Sequence, residues 1–314
     1  MSRVLKVLAL AATLAGAHDR VAAREPPAAA SAASSASAPS DTSGRLQEVT
    51  VTARRAEKLA REVSKFVNRI AGSENAEGLP LWTVRVCPLV AGLPRQEGEF
   101  ILERVSEIAR QAGVPLAGEN CRPNLFIVVT ADPKRLLRRW DDRNSTRIGV
   151  FDGATYPLGG APRSVIDAFI ATPRAVRVWY NTGWQTAWGQ PIFKSADPYQ
   201  PPAIDHAEPS RLLSNVVYTL ARVFVIADQT RLHGLTIGQF ADYVSMVGLS
   251  KLKPGARLGD ARTILKLFDG APQAVPAGMT DWDQAFLKSL YATEQRSKLQ
   301  RGEIARAMVR EVAH

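Results

Sequence analysis

Arg222-Val-Phe-Val-Ile-Ala-Asp-Gln-Thr-Arg-Leu-His-Gly-Leu-Thr-Ile-Gly-Gln-Phe-Ala-Asp-Tyr-Val-Ser-Met-Val-Gly-Leu249 is the stretch whose reading decides the fold. Its β-branched start, Val223 to Ile226, predicts a buried strand. His233-Gly234 marks a turn. Thr236-Ile-Gly-Gln239 has the form of a capping box: the threonine hydroxyl accepts from the amide three residues on, and the glutamine reaches back. Ile237, Phe240, Ala241, Val244 and Val247 then recur at helical spacing, which predicts a helix with one broad apolar face. Gly248-Leu249 reads as its left-handed stop. Asp242 interrupts the apolar pattern, and a buried carboxylate needs a partner such as an arginine.

Upstream lies a βαβ pattern. Trp82 to Cys87 reads as a strand. Glu97 to Ala112 reads as a helix with Phe100, Ile101, Val105, Ile108 and Ala112 inward and Gly113 as its cap. Leu125 to Thr130 is a continuous apolar run, expected as a central strand buried on both faces. Asp132-Pro133 offers an N-cap and a first-turn proline for a short helix reaching Trp140. A strand–helix–strand of this length implies a parallel pair.

From Asp141 to Glu208 the pattern weakens. Gly153, Gly159-Gly160, several prolines and Asn181-Thr-Gly183 mark loops and turns. One strand is expected at Ala175–Tyr180, with Val176, Val178 and Tyr180 on one face and Arg177 and Trp179 on the other. This suits an edge strand with a solvent-facing side, beside a groove able to hold an extended peptide by strand addition. Trp184 and Trp188 are candidates for its wall, although aromatic residues more often anchor cores and loops. Leu212–Tyr218 and Leu220–Ile226 read as two strands or as one continuous segment; the pattern leaves both open.

Downstream, Lys251–Gly259 is loop and Thr263–Phe268 a short apolar element. Thr280-Asp-Trp-Asp283 is a second capping box opening a helix that ends near Tyr291. Glu294–Val312 is a last amphipathic helix with Ile304, Met308 and Val312 inward. The fold class this implies is α+β: a mixed, mostly parallel sheet with packed helices in a single main domain over 54–314.

The N-terminus reads as a targeting segment. Met1-Ser-Arg-Val-Leu-Lys6 is basic, Val7–Ala17 is a short apolar core, and Ala15-Gly-Ala17 or Val21-Ala-Ala23 offers a small-residue cleavage site. This is a Sec-type signal peptide over 1–23, too short to span a membrane, and it predicts a periplasmic or secreted protein. Residues 24–53 read as an Ala/Ser/Pro linker with a short extended segment, Glu48-Val-Thr-Val-Thr-Ala53. That segment resembles the energy-coupling box of TonB-dependent outer-membrane receptors over fewer than ten residues. A plain edge strand is preferred, because the protein lacks the many alternating segments of a large barrel. Residues 54–71 then form an amphipathic helix with Leu59, Val63, Phe66, Val67 and Ile70 inward.

Cys87 and Cys121 are the only cysteines, and neither belongs to a metal-type pair. In an oxidising compartment a disulfide between them is expected. The formal charge is +10, and removal of 1–23 takes away Arg3, Lys6, Arg20 and Asp19 to leave +8. Acids alternate with bases along the helices, so a solvated surface accounts for the charge; no motif supports nucleic-acid binding. No apolar run is long enough for a transmembrane segment.

Residues 222–291 resemble the zincin-like domain of matrix-type metallopeptidases: a strand, a helix at Phe240–Leu249, a turn segment Thr263-Ile-Leu-Lys266 and a last helix Thr280–Tyr291 ending in Leu290-Tyr291. In that family the first helix carries H-E-x-x-H and the turn a methionine beneath the metal. Here Asp242, Tyr243 and Met246 occupy the positions of the first histidine, the glutamate base and the second histidine, Gly248 falls one residue early, and Leu265 stands at the methionine. Zinc needs imidazole, thiolate or carboxylate ligands one helical turn apart, and Met246 is a poor one. The resemblance therefore implies a zincin-like frame without its metal, a pseudoenzyme that uses no cofactor and binds a peptide or envelope partner. The candidate binding residues are Asp242, Tyr243, Met246, Arg177 and Trp179, with no catalytic residue assigned. The alternative is a hydrolase with unconventional ligands drawn from Asp242, His206 and His233, or a set in which Asp205 and His206 pair with Ser210 or Asp242.

Overall fold

The computed structural model describes residues 42–72, 78–143, 162–192, 212–269 and 276–313. The expected signal segment, Gly153, Gly159, Gly160, Asp205, His206 and Ser210 lie outside them. The axis of the fold is β6 (Val216–Asp228), so the two segments left open in the sequence are one 13-residue strand. On one side β6 pairs antiparallel with β4 (Val176–Thr186), which carries the two-residue β5 (Pro191–Ile192) beyond it. Asn181-Thr-Gly183, expected as a turn, instead continues this strand, with a register shift between Asn181 and Thr182 where a bulge absorbs the extra residue. On the other side two strands share its edge end to end. β1 (Leu81–Trp82) pairs parallel with Thr219 and Leu220, and β3 (Leu125–Thr130) pairs parallel with Val223–Asp228. β2 (Pro88–Ala91) lies outside β3, also parallel. The result is a mostly parallel, six-stranded mixed sheet among the described residues.

This arrangement explains why Trp82–Cys87 is not one strand. After Trp82 the backbone must leave the edge of β6 and step past β3 to reach the position of β2. Its middle instead bonds to 115–117, with Val86 N–H donating to Pro115 O and Ala117 N–H to Val86 O. The disulfide Cys87–Cys121 is formed. It ties together the points where the backbone enters β2 and β3.

Helices cover both faces. On one lie the 59–70 part of α1 (Thr42–Ile70), α2 (Arg95–Ala112), α5 (Ile237–Leu249), α6 (Asp281–Ala292) and α7 (Gln300–Val312). Val63, Phe66, Val67 and Ile70 of α1 are buried there, and Phe66 meets Trp282 and Phe286 of α6 edge-on. On the other lie α3 (Pro133–Arg143) and α4 (Arg163–Ala171), whose Leu137, Ile166 and Ile170 close a smaller core on Phe224 and Ile226. β3 accordingly buries Leu125, Ile127 and Val129 fully under the larger layer, while Phe126, Val128 and Thr130 are only half-buried under the smaller one. Helices cover both faces of this central strand as expected, but only one face is fully buried.

The local signals act largely as expected. Gly113, at φ 77°, ends α2 with Gly113 N–H donating to Arg110 O and Val114 N–H to Ala109 O. Asp132 Oδ1 accepts from Arg135 N–H and caps α3. Three expectations fail. Phe100 points outward and is 43% exposed. The last helix starts only at Gln300, after a turn. Glu48–Ala53, read as extended, continues α1 as helix, because the helix formers flanking it outweigh its β-branched residues. A segment that docks by strand pairing must be extended, so the energy-coupling resemblance is not met by this conformation.

Candidate functional site

The capping box of α5 forms as its spacing implies: Thr236 Oγ1 accepts from Gln239 N–H, and Gln239 Oε1 from Thr236 N–H. Its far end is different. Gly248 remains helical and the cap is Ser250, in an extended conformation. The last carbonyls are each taken by a side chain. Ser250 Oγ donates to Met246 O, Tyr180 Oη to Val247 O, Trp82 Nε1 to Gly248 O and Tyr291 Oη to Leu249 O. These satisfy the acceptors that every helix end leaves unpaired. Gly248 is needed for space rather than for a left-handed turn. A Cβ there would stand 3.0 Å from Leu125 Cδ1, against the middle of the sheet.

The positions that would hold a metal in the resembled family turn away from any cleft. Asp242 is 4% exposed and points to α2. Arg104 Nε donates to its Oδ1 at 2.6 Å and Met279 N–H to its Oδ2 at 2.7 Å. Gly278 leaves the room this needs, since a Cβ there would lie 2.7 Å from the same Oδ2. Arg104 also binds Glu107 Oε2 at 2.8 Å. Asp242 thus clips α2, α5 and the 276–280 segment together, and its partner is the arginine expected for a buried carboxylate. Met246 is fully buried in the core. Neither faces a binding groove, and both assignments as binding residues are corrected.

Tyr243 faces elsewhere. With Gln239 it lines one open depression, and with Val247 a smaller cleft that continues it, so residues four apart on α5 form one wall. Its ring packs edge-on against Phe268 at 4.8 Å. Burial, with the nearby charge of Asp269, pushes its phenol up to about 12. It therefore stays neutral where a peptidase base must be ionised. Among the described residues nothing bonds its hydroxyl.

The opposite wall is β4. Asp228 N–H donates to Ala175 O, which fixes the parity of the antiparallel ladder. Residues 175, 177, 179 and 181 direct their N–H and C=O toward β6. Val176, Val178 and Tyr180 direct theirs outward, where no described strand pairs with them. This edge runs between three hollows. The cleft against α5 holds about 200 Å³ over Val176, Val178, Tyr243 and Val247. The depression of about 930 Å³ beyond it reaches His233 and Gln239. A third hollow, about 560 Å³, lies on the α4 side by Phe169 and Tyr218. Lys253-Pro-Gly-Ala256 overhangs the edge as a tight turn. Pro254 stands at its second position and Gly255, at φ 66°, at its third, where positive φ is required.

Arg177 and Trp179 do not face solvent. α3 and α4 cover that side of the sheet, so Arg177 is 5% exposed and donates to Thr172 O and Arg174 O. Its guanidinium pKa is lowered, chiefly by burial. Trp179 packs on Phe169 and donates to Asn181 Oδ1. The solvent-facing side expected for β4 is therefore corrected, along with Arg177 as a groove contact, whereas the half-buried Trp179 lines the hollow on the α4 side. Trp184 stacks against Tyr218 as a structural anchor, whereas Trp188 is exposed.

His233 is exposed in its turn and lines the depression with Gln239, on a different face of α5 from Asp242. The structure does not bring those two together. Among the described residues, no three His, Cys, Asp or Glu side chains form a group able to hold a metal ion. Arg174, Lys251 and Lys253 carry no sequence pattern that marks them, yet all line the hollows around β4. The one signal pointing to them is the Lys-Pro-Gly turn. Comparisons with protein-family models, with curated proteins and with solved structures find no match to this protein.

Proposed function

We propose that this protein is an exported, non-catalytic binder on a degenerate metallopeptidase-like frame, and that it holds an extended segment of a peptide or envelope partner along β4. The observation that carries this is the outward row of N–H and C=O groups at Val176, Val178 and Tyr180, left without a described strand and flanked by hollows. Such an edge is a template for one more strand, with alternate side chains entering the hollows on either side. The helix wall opposite supports binding over chemistry: it presents a glutamine, a neutral tyrosine and a valine. Export is supported by the N-terminal pattern and by the formed disulfide, which persists in oxidising compartments. No helix among the described residues is long and apolar enough to cross a membrane.

The test is Val178→Pro. The N–H of Val178 does not serve β6, so proline removes an outward donor and leaves the ladder intact. On an array of random short peptides the parent protein is expected to select extended, β-forming sequences. The variant, with an unchanged circular dichroism spectrum, loses them. Equal binding by both proteins overturns the reading, as does tightly held stoichiometric zinc accompanied by peptidase activity that chelation removes.

A further inference from the structure

We infer that the segment bound along β4 is acidic, placing one apolar side chain in the cleft against α5 and its carboxylates against Arg174, Lys251 and Lys253; this rests on the strand-addition reading above. The cleft, at about 200 Å³, lies below the roughly 300–1,000 Å³ of small-molecule pockets, so it is sized for a side chain rather than a cofactor. Its floor is apolar, formed by Ile70, Val176, Val178, Val247, Leu252 and Leu265. The Tyr243 hydroxyl at its wall offers a hydrogen bond.

The rim carries unbalanced charge. Arg174 borders all three hollows, Lys253 the cleft, and Lys251 the hollow on the α4 side. None is in an ion pair with a described carboxylate; Lys251 lies over the Tyr218 ring at 5.4 Å. Arg231, also on the rim, is held by Asp228 at 3.4 Å. Among the described residues, Asp269 is the one carboxylate lining these hollows. Three cations outside any described ion pair, beside a row of backbone groups that no described strand pairs, attract an anionic strand and repel a cationic one. The carboxylates come either from Asp and Glu side chains or from the free C-terminus of the bound peptide.

The experiment uses the full-length protein and a fluorescent Val/Thr peptide with a central Leu, made with flanking Asp or with Lys in their place. Each is made with a free and with an amidated C-terminus. Anisotropy is expected to show the Asp peptide binding about tenfold or more tightly than the Lys peptide, with the gap narrowing as salt rises. Combined Arg174→Glu and Lys253→Glu substitutions reverse the preference, and replacing the central Leu by Ala weakens binding. If only the free-terminus form gains, the C-terminal carboxylate is the source; if amidation changes nothing, the side chains are. Equal affinity for Asp and Lys peptides, with both lost in Val178→Pro, overturns this inference and leaves strand addition standing. If Val178→Pro binds both as the parent does, or the parent binds neither, strand addition falls and this inference with it.

Discussion

At the scale of single residues, Asp242 and Tyr243 are neighbours with opposite roles. Asp242→Asn keeps the shape but cannot accept from both Arg104 Nε and Met279 N–H, because its amide nitrogen must face one of two donors. With Arg104 partly solvated, the expected loss is about 2–3 kcal/mol by urea denaturation, with peptide affinity unchanged. Tyr243→Phe is expected to do the reverse, holding stability while weakening the peptide. The sequence showed that Asp242 needed a partner such as an arginine, because a carboxylate on an apolar helix cannot be buried bare. It did not show which way Tyr243 turned. That depends on the rotation of α5 about its axis, set by Gly248 fitting over Leu125, and no periodicity encodes a contact between residues so distant in sequence. Arg177 misled for a related reason: alternation tells two faces of a strand apart without telling which is covered.

At the scale of elements, α5 is held by side chains at both ends, and the far end sets a pH limit. Tyr180 and Tyr291 donate to its terminal carbonyls. Burial raises the pKa of both phenols above the ordinary value of 10, as it does for Tyr243. The folded state thus keeps protons that the unfolded state gives up. Stability is full below the unfolded value of about 10 and falls as pH climbs through that value toward the folded ones. Urea midpoints measured from about pH 8 upward should hold steady and then drop, with phenolate absorbance appearing together with unfolding. Tyr180→Phe and Tyr291→Phe should each lower stability by about 1–2 kcal/mol at neutral pH by leaving a carbonyl bare. Both capping boxes, α2 with its Gly113 stop and the β3 run were legible because each is written within a few adjacent residues. The splitting of Trp82–Cys87 was not, since only the shared edge of β6 forces it.

For the whole molecule, the disulfide closes a loop of 34 residues between Cys87 and Cys121, which in the chain-entropy model is worth roughly 3–4 kcal/mol. Reduction of the folded protein should lower its denaturation midpoint accordingly, and Cys87→Ser with Cys121→Ser should reproduce the loss in the absence of reductant. The class of the fold was readable from the sequence because parallel strands, connecting helices and turns each leave local marks. The groove was only half readable, since the rim cations come from segments with no pattern of their own. The carbonyls at the end of α5 have a further consequence for biogenesis. Besides Ser250 at the helix's own end, their donors belong to β1, β4 and α6, so the helix is not finished until residue 291 has joined it. A polypeptide truncated before Asp281 should therefore remain protease-sensitive and show no cooperative melting. A protein that cannot lock its central helix until residue 291 has been made stays pliable while everything ahead of that residue is being synthesised.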